Sequence, residues 1–175
     1  AQLVPPLSLV TDDLGIYYDP SMPSRLERLI AARASLRADQ RVRADRLIAT
    51  LTVRGLSKYN LGGACPDLLP GHRILVPGQV EDDASILRGA STVKTNADLL
   101  RVVRAARPDA VILYKPHPDV EAGLRAGAVD AGGLADQVLP HADLAALLDQ
   151  VDEVWTMTLL LGFEALLRGV RVTTL

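Results

Sequence analysis

Several residue types are scarce in this sequence, and each shortage excludes a class of protein. The 175 residues include one cysteine, Cys65, so neither an intrachain disulfide nor a zinc site made only of cysteines can form. Aromatic residues are 3% of the chain although 49% of it is hydrophobic, so the apolar content comes mostly from Ala, Leu and Val. That mixture suits helices packed on a buried parallel sheet better than an aromatic-rich β-sandwich.

An excess of charge and a long apolar run are also missing. Lys and Arg number 19 against 21 Asp and Glu, and the net charge of −2 argues against nucleic acid as a partner. The longest apolar run, MTLLLGF at 157–163, is far shorter than the ~20 residues of a membrane span. The first ten residues lack a starting Met and the features of a signal peptide, and RGVRVTTL at 168–175 ends in a strand pattern without a tail. We therefore expect a piece cut from a longer polypeptide.

From residue 73 onward, strand patterns and helix patterns alternate. The strands are predicted at RILVPG (73–78), AVILYK (110–115), QVLP (137–140), DEVWTMT (152–158) and VRVTTL (170–175). The helices are predicted at 95–106, 120–127, 142–151 and 162–169. Such an alternation with short connections predicts an α/β fold with a Rossmann-like parallel sheet and flanking helices.

The first part of the chain is less regular. Residues 7–18 predict two short strands around an Asp-Asp-Leu-Gly turn, and helices are predicted from Pro23 and over about 39–53. The loop-like segment 55–72, rich in Gly and Pro, marks the internal boundary. We predict a partial N-terminal region over 1–62 and a Rossmann-like domain over 63–175.

Ligands of open α/β sheets bind outside the carboxyl ends of the strands, so the residues that follow each strand are the candidates for a site. The first strand is followed by Gly78 to Ser85, which includes the carboxylates Glu81, Asp82 and Asp83. The second leads through Lys115 and Pro116 into His117 and Pro118. The fourth leads through Thr158 into Gly162 and Glu164. Polar and conformationally special residues are concentrated at these three exits.

Each of the three clusters has two interpretations. The carboxylates could supply a nucleophile, a base or a metal ligand, or form a solvated turn that caps a helix beginning near Ser85. Lys115 and His117, held between prolines, could clamp an anion or form a stiff surface turn. Gly162 and Glu164 could admit a ligand and accept hydrogen bonds from a ribose diol, or serve only the helix dipole. The sequence contains neither a GxGxxG fingerprint nor a P-loop.

Long motifs of the chain carry a resemblance to a known family. They are LSLVTDDLGIYYD (7–19), PSRLE (23–27), LSKYNLG (56–62), ILVPGQVEDDAS (74–85), TNADLL (95–100), YKPHPDVEAGLRAG (114–127) and GFEALLRG (162–169). In these motifs the chain resembles the capsule polysaccharide biosynthesis and export proteins of the KpsC/LipA type, the β-Kdo glycosyltransferases. The resemblance covers nearly the whole chain.

The resemblance implies one half of a GT-B-like glycosyltransferase that is built from two Rossmann-like domains. Its donor substrate would be CMP-Kdo, without a further cofactor or a metal, and the configuration of the sugar would be retained. The acceptor would be a lipid of the phosphatidylglycerol type, and the product a Kdo linker on which capsule is exported. The resemblance also implies contact with the capsule assembly and export machinery, and a cytoplasmic location peripheral to the inner membrane.

The resemblance also implies roles for individual residues. Gln79, Asp83 and Ser85 match the catalytic Gln-x-x-x-Asp-x-Ser pattern of the family, with Asp83 as the catalytic carboxylate. The implied donor-binding residues are Lys115 and His117 at the phosphate, Glu164 at the ribose, and Thr156, Thr158 and Gly162 along the path of the nucleotide.

The chain departs from the family pattern at Leu159, where a serine would offer a hydroxyl to the CMP phosphate, and at Trp155, which is unusual for its position. Neighbouring backbone amides could compensate for Leu159. Two other functions therefore stay open. One is a catalytically inactive nucleotide-binding module, and the other is a metal-dependent phosphoryl-transfer or hydrolase domain that would use Glu81, Asp82 and Asp83 as ligands. The isolated piece is expected to be weak or inactive, because catalysis would need closure between two domains.

Overall fold

The structure is a computed structural model that describes residues 9–32, 35–58, 63–64 and 66–175. Within these ranges the chain forms one five-stranded sheet in which all neighbouring strands are parallel. The strands are β1 (Arg73–Pro77), β2 (Val111–Lys115), β3 (Gln137–Val138), β4 (Glu153–Thr156) and β5 (Arg171–Thr174). Their order, β3-β2-β1-β4-β5, is that of a Rossmann-like sheet, which confirms the predicted α/β class.

Helices connect the strands and precede the sheet. They are α1 (Arg25–Ala32), α2 (Ala38–Val53), α3 (Ala84–Gly89), α4 (Asn96–Ala106), α5 (Pro118–Glu121), α6 (Leu144–Leu148) and α7 (Leu161–Leu167). The helix predicted over 120–127 is wrong in its bounds, because the proline begins it at 118 and Gly123, with a φ of 70°, follows its last turn. The helix predicted over 142–151 is also shorter, since the Asp143 side chain caps it at Ala146.

Both faces of the sheet are buried, and alternate residues of each central strand point to opposite sides. Ile74 and Val76 of β1 belong to one core cluster, together with side chains of α4 such as Leu99. Leu75 between them belongs to the other, together with side chains of α6 and α7 such as Leu147. This two-sided burial explains why β1 is a continuous apolar run in the sequence.

The strand order reverses between β1 and β4. From β1 the chain moves to one side through β2 and β3, and β4 then pairs with the free edge of β1 before β5 is added beyond it. The connections after β1 and β4 therefore lead away to opposite sides of this point at the carboxyl edge of the sheet. This is the topological switch point, where open α/β sheets bind their ligands.

The strands predicted within 7–18 are wrong for the residues that are described, because 9–18 form irregular structure with a bend at 13–14 and a turn at 17–18. Asp12 explains the difference, since its Oδ1 accepts hydrogen bonds from the amides of Leu14 (2.9 Å) and Gly15 (3.2 Å). Its Oδ2 accepts from the amide of Arg25, 2.7 Å away at the start of α1. A side chain that pairs with its own backbone in this way competes with strand formation.

α1 and α2 bury no side chain within the structure described. The boundary predicted after residue 62 lies beside residues 59–62 and 65, which are outside the described residues, and it stays a prediction. Among the helices that are described, none has the length and apolar character that a bilayer crossing requires.

Candidate functional site

The exits of β1, β2 and β4 meet at the carboxyl edge of the sheet, as predicted, and enclose a pocket. We call it the switch-point pocket; prolines and leucines form much of its lining, which also includes Lys58, Gly78, Lys115, His117 and Glu164. Gly78 lets two of the exits approach, because a Cβ there would lie 2.7 Å from Tyr114 Oη and 3.1 Å from the amide of His117. The pocket lies between the segment Lys115–Pro118 after β2 and the start of α7.

Gln79 joins the loops on the two sides of the switch point. Its side chain is 3% exposed, and its Oε1 accepts hydrogen bonds from the Thr156 hydroxyl (2.8 Å) and from the amides of Met157 (3.0 Å) and Thr158 (3.1 Å). This one acceptor therefore fixes the backbone that leaves β4. The buried side-chain amide of Gln79 therefore positions the residues that follow β4.

A directed hydrogen-bond relay leads from Gln79 to Asp83. Gln79 Nε2 donates to the Thr158 hydroxyl at 3.2 Å, and that hydroxyl lies 3.0 Å from the Ser85 hydroxyl. Ser85 Oγ lies 2.7 Å from Asp83 Oδ1. Since an ionised carboxylate can only accept, the serine hydroxyl donates to Asp83 and accepts a hydrogen bond from the Thr158 hydroxyl. The structure thus connects the three residues of the Gln-x-x-x-Asp-x-Ser pattern through Thr158.

Asp83 is held by one carboxylate oxygen. Its Oδ1 also accepts from the amide of Ser85 at 2.9 Å, which caps α3, whereas Oδ2 makes no hydrogen bond to any described residue. The hydroxyl and the amide of Ser85 keep the pKa of Asp83 below its ordinary value, and the charges of Arg125 and Lys58 act in the same direction. Asp83 is therefore an ionised, exposed carboxylate with one oxygen available.

The other two carboxylates of this loop have different partners. Glu81 accepts from the amide of Asn96 at 2.7 Å, and Asp82 pairs with Arg125 at 3.0 Å. Within the described ranges, no group of three His, Cys, Asp or Glu side chains is arranged to hold a metal ion. The three consecutive carboxylates are thus separated by their own contacts and do not form a joint ligand set.

Lys115 is more buried than an anion clamp requires. It is 5% exposed, and its Nζ donates to the Pro116 carbonyl (2.8 Å) and to Glu121 Oε2 (3.1 Å). The Glu121 carboxylate therefore compensates the positive charge that the sequence assigned to an anion. A phosphate would have to compete with that carboxylate for Lys115.

His117 is also buried, at 7% exposed, and its ring is oriented by the backbone. Nδ1 accepts from the amide of Asp119 at 3.2 Å, which caps α5 and leaves the proton of the neutral ring on Nε2. Burial lowers the pKa of His117 and outweighs the opposing charge of Asp119, and the charges of Lys58, Lys115 and Arg125 lower it further. His117 is therefore a neutral N–H donor near pH 7.

Glu164 supplies the acceptor of the pocket. It is 8% exposed at the first turn of α7, and its Oε1 accepts from the amide of Lys58 at 2.9 Å. Its Oε2 is buried and has no hydrogen-bond partner among the described residues. A buried carboxylate oxygen without a partner is costly, so this position favours a ligand that donates hydroxyl groups.

Two of the residues predicted to bind the donor substrate, Gly162 and Thr156, contribute to packing and hydrogen bonding within the fold. Gly162 is buried, and a Cβ there would lie 3.2 Å from Thr156 Cγ2 and 3.4 Å from Val172 Cγ1, so the glycine lets α7 pack closely on the sheet. Thr156 is 1% exposed and its hydroxyl is bound to Gln79. Thr158 is half-buried, and its hydroxyl is already bound to Gln79 and Ser85.

Leu159 and Trp155, the two departures from the family pattern, both make contacts within the fold. Leu159 is half-buried and packs against the second core cluster, while the amides of Met157 and Thr158 are already bound to Gln79 and cannot compensate for a missing hydroxyl. Trp155 donates its indole N–H to the buried Glu153 at 2.9 Å, and the guanidinium of Arg107 lies 5.4 Å from the centre of its ring.

Sequence reasoning missed three residues that the structure brings to the site. Lys58 lines the pocket and Arg125 lies near Asp83, and the charges of both act on the pKa of Asp83 and of His117. The motif LSKYNLG contained the signal for Lys58. Asn96 is buried under the loop after β1, and its position at a helix start indicated only a cap.

Comparison with known proteins gives the family. A model of the capsule polysaccharide biosynthesis protein family matches residues 70–175. The capsule polysaccharide modification protein LipA of Neisseria meningitidis is 48% identical over an alignment of 178 positions, which covers 99% of this chain and 25% of LipA. The lipopolysaccharide-processing protein LpsZ of Rhizobium meliloti is 45% identical over an alignment of 181 positions, which covers 99% of this chain and 41% of LpsZ.

Solved structures of two transferases share the fold. The KpsC β-Kdo 2,4 transferase of Thermosulfurimonas dismutans matches with a TM-score of 0.86 at 29% identity, over 97% of this chain and 55% of that one. The KpsC β-Kdo 2,7 transferase of the same organism matches with a TM-score of 0.76 at 38% identity, over 93% of this chain and 50% of that one. This chain thus spans between a quarter and about half of the relatives named here. It belongs to the capsule polysaccharide biosynthesis protein family.

Proposed function

We propose that this chain is the CMP-Kdo-binding domain of a retaining β-Kdo glycosyltransferase, which builds the lipid-linked Kdo linker of capsular polysaccharide. The observation that carries the proposal is the switch-point pocket at the carboxyl edge of a Rossmann-like sheet, which is lined by the neutral His117 and by Glu164, whose Oε2 has no hydrogen-bond partner among the described residues. Two relatives of the same fold are named as Kdo transferases, which supports the choice of sugar.

The chemistry of the pocket suits a cytidine monophosphate group. Hydroxyl groups of a ribose would donate to Glu164 Oε2 and satisfy that buried oxygen. The N–H of His117 would donate to the phosphate, and Lys58 would offset its negative charge. Lys115 would contribute only in competition with Glu121. Stabilising the phosphate also makes CMP a better leaving group.

Asp83 would act as the nucleophile of a double displacement. Its free oxygen, Oδ2, would attack the anomeric carbon of Kdo; the bond to the phosphate oxygen would break, and CMP would leave with the bonding electrons. The acceptor hydroxyl would then attack the same carbon, release Asp83 as a carboxylate and lose its proton to a base or to water. Two inversions in succession retain the configuration.

The remaining parts of the proposal concern what lies outside this chain. The acceptor is a lipid-linked molecule, the partners are the capsule assembly and export machinery, and the place of action is the cytoplasmic surface of the inner membrane. Because the chain spans only part of its relatives, experiments on transfer use the longest natural polypeptide that contains these 175 residues, which we call the parent polypeptide.

Titration of the chain with CMP in a calorimeter tests the proposed donor site. We expect saturable binding that Glu164→Gln weakens about tenfold or more, since a hydrogen bond to a charged group is worth ~1.5–3 kcal/mol. The glutamine keeps an acceptor for the Lys58 amide, so the loop stays in place. Asp149→Asn is the matched control, because it removes one charge beside Arg168, outside the pocket. Equal affinity of CMP for wild type and Glu164→Gln would contradict the assignment.

The affinity for CMP should also depend on pH through His117. Burial lowers the pKa of this residue in the free chain, whereas a bound phosphate would raise it, so binding takes up a proton. Affinity is therefore expected to rise as the pH falls below the pKa of the bound state and to level off below that of the free state. His117→Asn, which can still cap α5, should remove this part of the pH dependence and leave only the titration of CMP itself. The same pH dependence of CMP affinity in wild type and in His117→Asn would contradict the role of His117.

A further inference from the structure

Asn96 is buried beneath the loop that follows β1, although it is the first residue of α4. It is 1% exposed, and its Oδ1 accepts from the amide of Gln79 at 2.8 Å. Its Nδ2 donates to the carbonyl oxygens of Gln79 (2.8 Å) and Gly127 (2.9 Å). One side-chain amide thus pairs both backbone groups of Gln79, and these partners fix which atom is the oxygen and which the nitrogen.

This pairing replaces a missing strand neighbour. The ladder between β1 and β2 ends just past Pro77, where the Gly78 amide donates to the Lys115 carbonyl at 2.7 Å. Gln79 lies beyond it, and its buried backbone groups would lack partners without Asn96. The side-chain amide of Asn96 therefore extends the hydrogen bonding of the sheet by one residue. This residue is Gln79, whose own side chain is hydrogen-bonded to Thr156 of β4.

The segment at Gly127 packs against the side-chain amide of Asn96, and only a glycine leaves enough room for this contact. Gly127 has a φ of 131°, and a Cβ at this position would lie 2.6 Å from the Gln79 carbonyl oxygen and 2.9 Å from Asn96 Nδ2. The preceding residue, Ala126, accepts from the amide of Glu81 at 3.1 Å. The loop that carries Asp83 is thus tied at Gln79 and at Glu81 to α4 and to the segment 126–127.

We propose that Asn96 is a positioning residue of the transfer reaction. It sets the backbone of Gln79, and Gln79 sets Thr158, Ser85 and finally the Asp83 carboxylate through the relay of side-chain hydrogen bonds. This inference rests on the proposed function for its catalytic consequence. The link from Asn96 to the loop after β4 is a property of the chain itself and can be measured without any activity.

Amide hydrogen exchange of the chain tests that link. Asn96→Asp keeps the size and the acceptor but loses both N–H donors toward Gln79 and Gly127. We expect the amides of Met157 and Thr158, which donate to Gln79 Oε1, to exchange about tenfold faster or more in this variant, because their acceptor is no longer held in place. Thr95→Ala is the matched control: it removes the cap of the same helix without touching Gln79 and should leave these two amides unchanged. Asn96→Ser is the second variant if Asn96→Asp does not fold.

Kinetics of the parent polypeptide test the catalytic consequence. We expect Asn96→Asp to lower kcat about 10²-fold with little change in the KM for the donor, since a misplaced nucleophile affects the chemical step more than binding. A protonated carboxyl group regains one O–H donor, so kcat relative to wild type should recover as the pH falls. Because protonation of the buried carboxyl group also stabilises the fold as the pH falls, the folded fraction is measured at each pH and kcat is calculated per folded molecule.

The outcomes separate this inference from the proposed function. Unchanged exchange at Met157 and Thr158 in both Asn96 variants, or an unchanged kcat in an active parent polypeptide, overturns the positioning role. If the wild-type parent polypeptide transfers no Kdo, the proposed function fails. The exchange experiment then decides alone whether Asn96 positions Gln79.

Discussion

Asp83→Asn in the parent polypeptide is expected to lower the rate of Kdo transfer by about 10³-fold or more, as loss of a nucleophile does in other enzymes. Asparagine keeps the acceptor that caps α3 at Ser85, so the loop keeps its shape while the nucleophilic carboxylate oxygen is lost. The measurement is transfer of Kdo from CMP-Kdo to a Kdo-bearing acceptor. CMP affinity of the chain should stay the same, because Asp83 is not among the residues that line the switch-point pocket.

Asp82→Asn is the control for this experiment. It makes the same change at the preceding carboxylate, which is exposed and paired with Arg125, and should change the rate less than about threefold. Asp83→Ala is the second variant, and it should be as inactive as Asp83→Asn. Transfer at the wild-type rate in both Asp83 variants would remove this residue from the mechanism, and a large loss in Asp82→Asn alone would move the catalytic role to its neighbour.

Gln79→Leu is expected to lower the free energy of unfolding by about 3–5 kcal/mol, since a buried donor left without its acceptor costs ~1–3 kcal/mol. The substitution leaves three such donors: the Thr156 hydroxyl and the amides of Met157 and Thr158. Urea denaturation of the chain measures the loss. The single tryptophan, Trp155, lies next to Thr156 in β4 and is 6% exposed in the folded state, which makes its fluorescence a suitable probe.

Gln79→Glu separates the acceptor from the donor of this side chain. A carboxyl group keeps an acceptor for all three donors but loses the hydrogen bond from Nε2 to Thr158, and when ionised it buries a charge. Its cost should therefore be clearly smaller than that of leucine at a pH where the carboxyl group is protonated. Should Gln79→Leu unfold at the same urea concentration as wild type, the joining of the two loops by Gln79 would not contribute to stability.

The sheet could be predicted from the sequence because strands that are buried on both faces appear as continuous apolar runs. β1 and β2 are short runs of apolar residues between loop residues, and the rule that connections are short and right-handed then gives the fold class. The same reasoning placed Asp83, His117 and Glu164 at one edge, since parallel strands end together. The strands predicted near Asp12 failed because a local side-chain hydrogen bond decided the backbone there.

The internal organisation of the site could not be read in the same way. Gln79 and Thr156 are 77 positions apart, and they meet only because β1 pairs with β4, which the alternation of strands and helices does not specify. Lys58 and Glu164 are 106 positions apart and come from opposite sides of the proposed boundary. The charge of Lys115 is compensated by Glu121, whose place depends on where α5 begins. Contacts between distant residues of this kind depend on strand order and loop geometry.

The central claim is that a cytidine monophosphate group binds at the carboxyl edge of the sheet, between the exits of β1, β2 and β4. Mapping of amide chemical shifts in the labelled chain during titration with CMP tests it most directly. We predict saturable shifts at Gly78, His117, Thr158 and Glu164, with those of Arg107 and Arg171 at the opposite edge unchanged. Saturable shifts confined to the opposite edge, or no saturable shift at the pocket residues, would contradict the account.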